Sequence, residues 1–306
     1  MFALMSLLVV GSVAFDSVKT PFGQAKEVLG GSATYFSVAA SFFTKVSLVA
    51  VVGEDFPEKD IQFLKSRKID TAGLERAKGE TFRWKGEYGF QLNEAKTLDT
   101  RLNVFQNFWP KLPEAYKKLD IVFLGNIDPD LQREVLQQVT KPKLVALDTM
   151  NFWISGKKDS LIKTLGLVDI LIINDGEARQ LSGEHNLVQA AQKIQSMGPK
   201  ILIIKRGEYG ALLFSRKSVF HAPAYPLEKV FDPTGAGDSF AGGFMGYLAK
   251  TRKFDDANFR KAIIMGSVLA SFNVEDFSLN RFKRLKNSEI TARFKAFKNL
   301  THFENL

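Results

Sequence analysis

Six short apolar runs, with helix-patterned segments between them, constrain this chain more than any other feature. They are Leu7–Val10, Val46–Val52, Ile121–Leu124, Leu144–Leu147, Ile170–Ile173 and Ile201–Ile204. A half-exposed strand alternates polar and apolar residues. Runs this apolar are buried on both faces, as in a parallel sheet sandwiched by helices. The runs lead into polar or glycine-bearing corners: Gly53-Glu-Asp55, Gly125-Asn-Ile-Asp128, Asp148-Thr-Met-Asn151, Asn174-Asp-Gly-Glu177 and Lys205-Arg-Gly207. In an open α/β sheet such corners lie at the carboxyl ends of the strands, where ligands bind. The expected fold is a three-layer α/β/α domain with a mostly parallel central sheet, delivering its Asp, Asn and Glu side chains to one edge.

One stretch breaks the rhythm. Thr81–Phe90 and Leu98–Phe105 are alternating, aromatic-rich segments with a polar turn between them, which reads as a hairpin rather than a βα unit. Together with Ser12–Phe22 it is expected to form a small separate sheet beside the ligand edge, a lid, unless it is only an edge decoration. The expected division is an α/β core of residues 1–11, 23–79 and 109–306 and a β lid of residues 12–22 and 80–108. The tail from Asn287 reads as a terminal amphipathic helix.

The chain has 306 residues and no cysteine. Disulfide frameworks and thiolate metal sites are thereby excluded, and His185, His221 and His302 are too scattered to supply a histidine metal centre. The opening Met1–Val10 is apolar but lacks a basic leader and a small-residue cleavage site. We read Ser6–Val10 as a buried strand, and no run approaches the ~18 residues of a membrane span, so a soluble, cytoplasmic protein without a membrane partner is expected. The net charge of +9 admits nucleic acid as a partner, but the positive residues are spread along the chain. Their concentration in Arg281–Lys286 and Arg293–Lys298 reads as a solvated helix face, and nucleic acid is disfavoured. The chain contains no Gly-x-x-x-x-Gly-Lys-Ser/Thr loop, no Gly-x-Gly-x-x-Gly after a strand, no Gly-x-Ser-x-Gly elbow and no His-Glu-x-x-His.

The segment Val230–Leu248 carries the most chemistry. Phe240, Phe244, Tyr247 and Leu248 recur at helical spacing, so a helix is expected to start near Gly237 or Asp238, after the turn Thr234-Gly-Ala-Gly237. A glycine-rich turn entering a helix N-terminus aims free N–H groups at one spot, where the helix dipole adds positive potential. That is an anion hole. Asp238 beside it is either a helix cap or a general base for a hydroxyl attacking a phosphoryl group.

Asp232-Pro-Thr-Gly-Ala-Gly-Asp-Ser-Phe240 resembles the C-terminal signature of the PfkB, or ribokinase-like, carbohydrate kinases. Leu29–Ala40 resembles their N-terminal diglycine signature. Asn174-Asp-Gly-Glu177 matches their Asn-x-x-Glu, and Lys205–Gly210 resembles their nucleotide-side Gly-x-x-Gly turn. These matches fall in family order and cover the chain to about Asn273. The resemblance implies that Asp238 is the base and that Gly235, Ala236 and Gly237 form the anion hole. It implies that Asp16, Gly30, Gly31 and Tyr35 bind the acceptor, and that Asn174, Lys205, Gly207, Gly210, Thr234 and Asn273 bind ATP. Glu177 is implied to hold Mg2+ through water; capping of a helix by Asn174 and Glu177 is the plain alternative. Asp148 and Asn151 resemble a further corner near the phosphates, or cap a helix. Activation by a monovalent cation occurs in parts of the family.

Two departures bear on the substrate. Tyr35 stands where many sugar-specific members have Asn, and a phenol cannot offer vicinal hydroxyls both a donor and an acceptor as an amide does. Phe82, Trp84, Tyr88 and Phe90 of the expected lid either stack on a purine or form the lid's own core. Arg83, Lys85 and Arg101 either hold a phosphorylated sugar or are solvated. The expected activity is ATP-dependent phosphorylation of a hydroxymethyl group of a sugar, with a nucleoside kinase next and a non-catalytic sugar- or nucleotide-binding regulator as the rival. A lid edge that is exposed permits a homodimer through the lid.

Overall fold

The computed structural model describes residues 6–302 and 304; the sequence reading of Met1–Met5 lies outside the described residues. In chain order the first strands are β1 (Leu7–Val10), β2 (Ala14–Thr20), β3 (Gly23–Gly30), β4 (Val46–Val52), β5 (Ile69–Arg76), β6 (Phe82–Tyr88) and β7 (Ala95–Arg101). They are followed by β8 (Ile121–Leu124), β9 (Leu144–Asp148), β10 (Ile170–Asn174), β11 (Ile201–Lys205), β12 (Ala211–Phe214) and β13 (Val219–Ala222). Nine form one sheet in the order β13-β12-β11-β10-β9-β8-β1-β4-β5, and four form a second in the order β3-β2-β6-β7.

From β5 through β11 every pairing in the large sheet is parallel; β12 and β13 close one edge as antiparallel additions. All six apolar runs are among its strands. Alternate residues of β1 feed two separate cores: Leu7 and Val9 join one, Leu8 and Val10 the other. This is burial on both faces, as the uniform apolarity required. The strand order reverses at β1, which pairs β4 on one side and β8 on the other. Such a switch point opens a crevice at the strand ends. Gly11 and Gly125, which follow β1 and β8, pack against each other and against Ser32 there.

The small sheet contains one segment more than the sequence suggested. Residues 23–30, read with the core, pair antiparallel with β2. Only Leu29 and Gly30 of β3 are buried, so no apolar alternation marked it. The second hairpin strand spans residues 95–101 rather than 98–105. Asn103 adopts a left-handed φ of 49° and donates from Nδ2 to the Thr81 carbonyl at 2.9 Å, turning the chain so that Phe105 stacks on Phe82 and Phe108. β7 is exposed along its whole length. Among the described residues no helix is long and apolar enough to cross a membrane, and Asn287–Thr301 is the expected terminal helix.

The helix Ala236–Thr251 packs on the helix Ser32–Ala40 through small residues. A Cβ on Gly242 would lie 2.3 Å from the Phe36 carbonyl oxygen, and one on Gly246 would lie 2.9 Å from Ala40 Cα. This contact sets the two signature helices side by side. Helix propensity alone favours Gly242→Ala by about 1 kcal/mol, but overpacking against a backbone oxygen reverses the sign. The substitution is expected to lower stability by about 1–3 kcal/mol, read as a reduced urea midpoint.

Candidate active site

Asp232 begins the turn. It is buried, its Oδ1 accepts from Thr234 N at 2.9 Å and its Oδ2 accepts from Ser278 N at 3.2 Å, an Asx turn that fixes the loop's start. Gly235 then takes a left-handed φ of 74° as helix N-cap, and the helix begins at Ala236, slightly earlier than the sequence spacing suggested. No side chain caps this end; Ala236 N donates to the Pro233 carbonyl at 3.1 Å, and the N–H groups of Gly237 and Asp238 are left for a ligand or water. Asn273, expected at the nucleotide, is buried and committed elsewhere. Its Nδ2 donates to the Thr234 carbonyl at 2.8 Å and its Oδ1 accepts from Ser239 Oγ at 3.1 Å, which braces the turn from beneath.

Asp238 lies in the first helical turn. Burial pushes its carboxyl up to about 7, aided by Asp148, Asp16 and Glu177 and opposed by Lys205. Asp16 on β2 is 4% exposed. Its Oδ2 accepts from Gly31 N at 3.4 Å and occupies the space of a Gly30 side chain, since a Cβ there would lie 1.9 Å from Oδ2. Burial lifts Asp16 to about 7 as well, against the Gly31 hydrogen bond. Gly31, at φ 92°, approaches the Ser12 carbonyl where a Cβ would stand 2.6 Å away. The diglycine thus brings the backbone onto Asp16 rather than merely entering a helix.

Tyr35 is 1% exposed, and its ring lies flat on Gly235, where a Cβ would come within 2.4 Å of three ring carbons. Its hydroxyl is buried without a partner. Burial and the fields of Asp16, Asp232, Tyr88 and Asp238 hold the phenol well above its ordinary range.

Three strand ends converge on the same edge. Asp148 closes β9, with Oδ1 accepting from Thr149 N at 2.9 Å and Oδ2 lying 3.7 Å from Lys205 Nζ. Lys205 closes β11 opposite Asn174 of β10. Asn174 and Glu177 form the capping box of the helix Asp175–Ser182, with bonds of 2.7 and 2.8 Å. This geometry accounts for both residues as caps and leaves one Glu177 carboxylate oxygen for other work. Burial raises Glu177 to about 7, with Lys205 opposing and Asp148 adding. Asn151 is exposed and bonds the next amide, Phe152 N, at 2.9 Å. Gly210, at φ 82°, packs where a Cβ would strike the Ala222 carbonyl at 2.0 Å, so chain packing alone demands glycine there. Among the described residues no three carboxylates or histidines are grouped to ligate a metal.

The small sheet reaches this edge at points no sequence pattern marked. Tyr88 OH accepts from Thr234 Oγ1 at 3.3 Å, which engages the threonine expected at the nucleotide. Asn93, in the hairpin turn, fills the side-chain space of Gly207, with Oδ1 1.8 Å from a Cβ placed there. Trp84 pairs in register with Asp16, so it stands on the same face; its Nε1 donates to Thr97 Oγ1 at 3.2 Å. Phe82 packs in the hairpin's base and Phe90 is exposed. Arg83 is taken up by Glu27, Asp55 and Glu80, and Arg101 by Asp99, which removes the reason to assign them to a phosphorylated sugar.

The raised carboxyl of Asp16 links stability to pH. A folded-state value near 7 against an ordinary 3.8 means that the folded chain holds this proton more tightly than the unfolded chain. The stabilisation is complete at low pH and disappears as pH rises through about 7. Melting temperatures at about pH 5 and about pH 8 are expected to fall more steeply for the wild type than for Asp16→Asn, which has no proton to lose at this position.

Residues 6–283 match the pfkB family carbohydrate kinase model. The chain is 30% identical to the cytidine kinase of Thermococcus kodakarensis, over 83% of this chain and 92% of that one. It is 26% identical to a nucleoside kinase of Methanothermobacter thermautotrophicus, over 88% and 89%. The structure of Burkholderia thailandensis nucleoside kinase in complex with inosine superposes with a TM-score of 0.80 at 20% identity, covering 96% and 99% of the two chains. The Methanocaldococcus jannaschii nucleoside kinase superposes at 0.76 and 20% identity, over 97% and 100%. Family match, strand order and turn geometry agree, and the chain belongs to the PfkB family of carbohydrate kinases, phosphotransferases with a hydroxyl acceptor.

Proposed function

We propose that this kinase transfers the terminal phosphoryl group of ATP to the hydroxymethyl group of a sugar or nucleoside, with Asp238 as general base. The observation that carries the reading is the placement of Asp238 in the first turn of an uncapped helix whose entry is the Gly235–Gly237 turn. A base with a value near 7 is matched to neutral operation, because it is both substantially ionised and basic enough to accept a proton. In the step, Asp238 removes the acceptor hydroxyl proton and the oxygen bonds to the terminal phosphorus. The bond from that phosphorus to the bridging oxygen breaks, and ADP leaves with the electron pair. The N–H groups of Gly235 and Gly237 stabilise charge on the phosphoryl oxygens, while that of Ala236 is held by the Pro233 carbonyl.

Asp16 accepts hydrogen bonds from acceptor hydroxyls, a task for a carboxylate, and the orphaned Tyr35 hydroxyl supplies a donor in the same region. A buried hydroxyl without a partner is costly unless something satisfies it, and a substrate oxygen does so. Trp84 on the Asp16 face, together with the cytidine and nucleoside kinases among the relatives, favours a nucleoside as the acceptor. Kinases of the family use ATP with Mg2+. Mg2+ supplies charge neutralisation at the phosphates, and Glu177, in the first turn of the 175–182 helix, and Asp148, at the end of β9, would hold it through water. The small sheet serves as the lid, excluding water from the transfer.

ADP release measured with MgATP against pentoses, hexoses, hexose phosphates and nucleosides, with and without K+, tests the assignment. One acceptor class is expected to turn over, and Asp238→Asn to lower its kcat by ~10²–10⁴ with the fold retained. Near-normal turnover in the variant would overturn the role given to Asp238.

A further inference from the structure

Beyond Tyr88 the small sheet runs out into an exposed turn. β7 is exposed along its whole length, Phe90 is 88% exposed, and a Cβ on Gly89 would meet nothing within 4 Å. One side chain of this turn nevertheless meets the core. The carboxamide of Asn93 lies on Gly207, with Oδ1, Cγ and Nδ2 at 1.8, 2.5 and 3.0 Å from a Cβ placed there. Gly207 opens the turn after β11 at φ 55°, and Arg206 N closes that turn by donating to the Gly210 carbonyl at 2.8 Å. The seat of Asn93 is therefore backbone, and it exists only while the 206–210 turn keeps its shape. The same ribbon reaches Thr234 through Tyr88. Between the two contacts β6 is paired on both sides, with β2 and β7, so its residues shift as a unit, and Trp84 stands in register with Asp16.

We propose that Asn93 is a positioning residue that couples the two halves of the site: a nucleotide held at the 206–210 turn fixes the seat of Asn93, and the ribbon then keeps Trp84 and Tyr88 in place beside Asp16 and Thr234. The assignment rests on the kinase reading, which puts the nucleotide at that turn, and goes beyond it by making the acceptor side depend on the nucleotide side. A coupling of this kind needs a segment with two arrangements and a ligand that favours one of them. The exposed tip is the segment, and its contact with Gly207 carries the preference. A short carboxamide suits the place, because it lies flat on a glycine and, being uncharged, does not oppose an anionic ligand. Glycine at 207 has a second reason here, since any side chain would take the seat.

Hydrogen–deuterium exchange on the full chain, with and without MgADP, tests the coupling without any acceptor; calorimetry first sets a saturating concentration for each variant. In the wild type MgADP is expected to slow exchange across β6 and β7, residues 82–101, by at least ~5-fold, a usual size for coupling between sites. Asn93→Ala is expected to lose that response and, because coupling is reciprocal, to bind MgADP more weakly by no more than the same factor. Phe90→Ala, in the same turn, is expected to respond as the wild type does. A merely structural role for Asn93 would change hairpin exchange equally with and without nucleotide. That result, slowing that persists in Asn93→Ala, its absence in the wild type, or its loss in Phe90→Ala would each overturn the proposal. Absence of MgADP binding would overturn the kinase reading and the proposal with it, and is told apart because the calorimeter reads it before any exchange is measured.

Discussion

A parallel sheet covered on both faces leaves its strands one outlet for polar side chains, their ends. The interiors of β1, β8, β9, β10 and β11 are committed to two apolar cores, so Asp148, Asn174 and Lys205 appear only where β9, β10 and β11 stop. The reversal of strand order at β1 then keeps helices from sealing that edge. The signature helices lie together because glycines let them approach backbone to backbone. The site follows from packing: once the sheet is buried, its chemistry has one place to go.

That concentration has an electrostatic cost. Asp16, Glu177 and Asp238 are each lifted to about 7, chiefly by burial, which marks a group of carboxyls the fold would hold more comfortably protonated. Opposing them are one ammonium and an uncapped helix end. Sites that work on charge commonly carry such strain. The glycines show the same crowding in steric form. Gly30 yields its side-chain space to Asp16, Gly235 to Tyr35 and Gly207 to Asn93. Each is fixed by a neighbour from another element, and Gly207 and Gly235 also by their positive φ.

Much of this was legible in the residues. Uniform apolarity of the six runs announced a doubly covered sheet, and Thr234–Asp238 announced a glycine-rich turn entering a helix. The capping box of Asn174 and Glu177 was readable from its three-residue spacing. What escaped reading depends on distant contacts. β3 carries no alternation because only its last two residues are buried. The outward ion pairs of Arg83 required Glu27 and Asp55 to be placed first, and the engagement of Asn273 beneath the turn required the 256–273 helix to be docked. Tyr88 and Asn93 touch the site from a hairpin whose tip is separated from Gly207 and Thr234 by more than a hundred residues. No local pattern encodes such a partnership.

The hairpin has two anchorages on different elements: Tyr88 meets Thr234 in the turn that enters the 236–251 helix, and Asn93 rests on Gly207 in the turn after β11. One ribbon therefore ties the end of the sheet to the start of that helix. A displacement of the hairpin would loosen both turns at once, so two stretches of chain far apart in sequence share one mechanical tether.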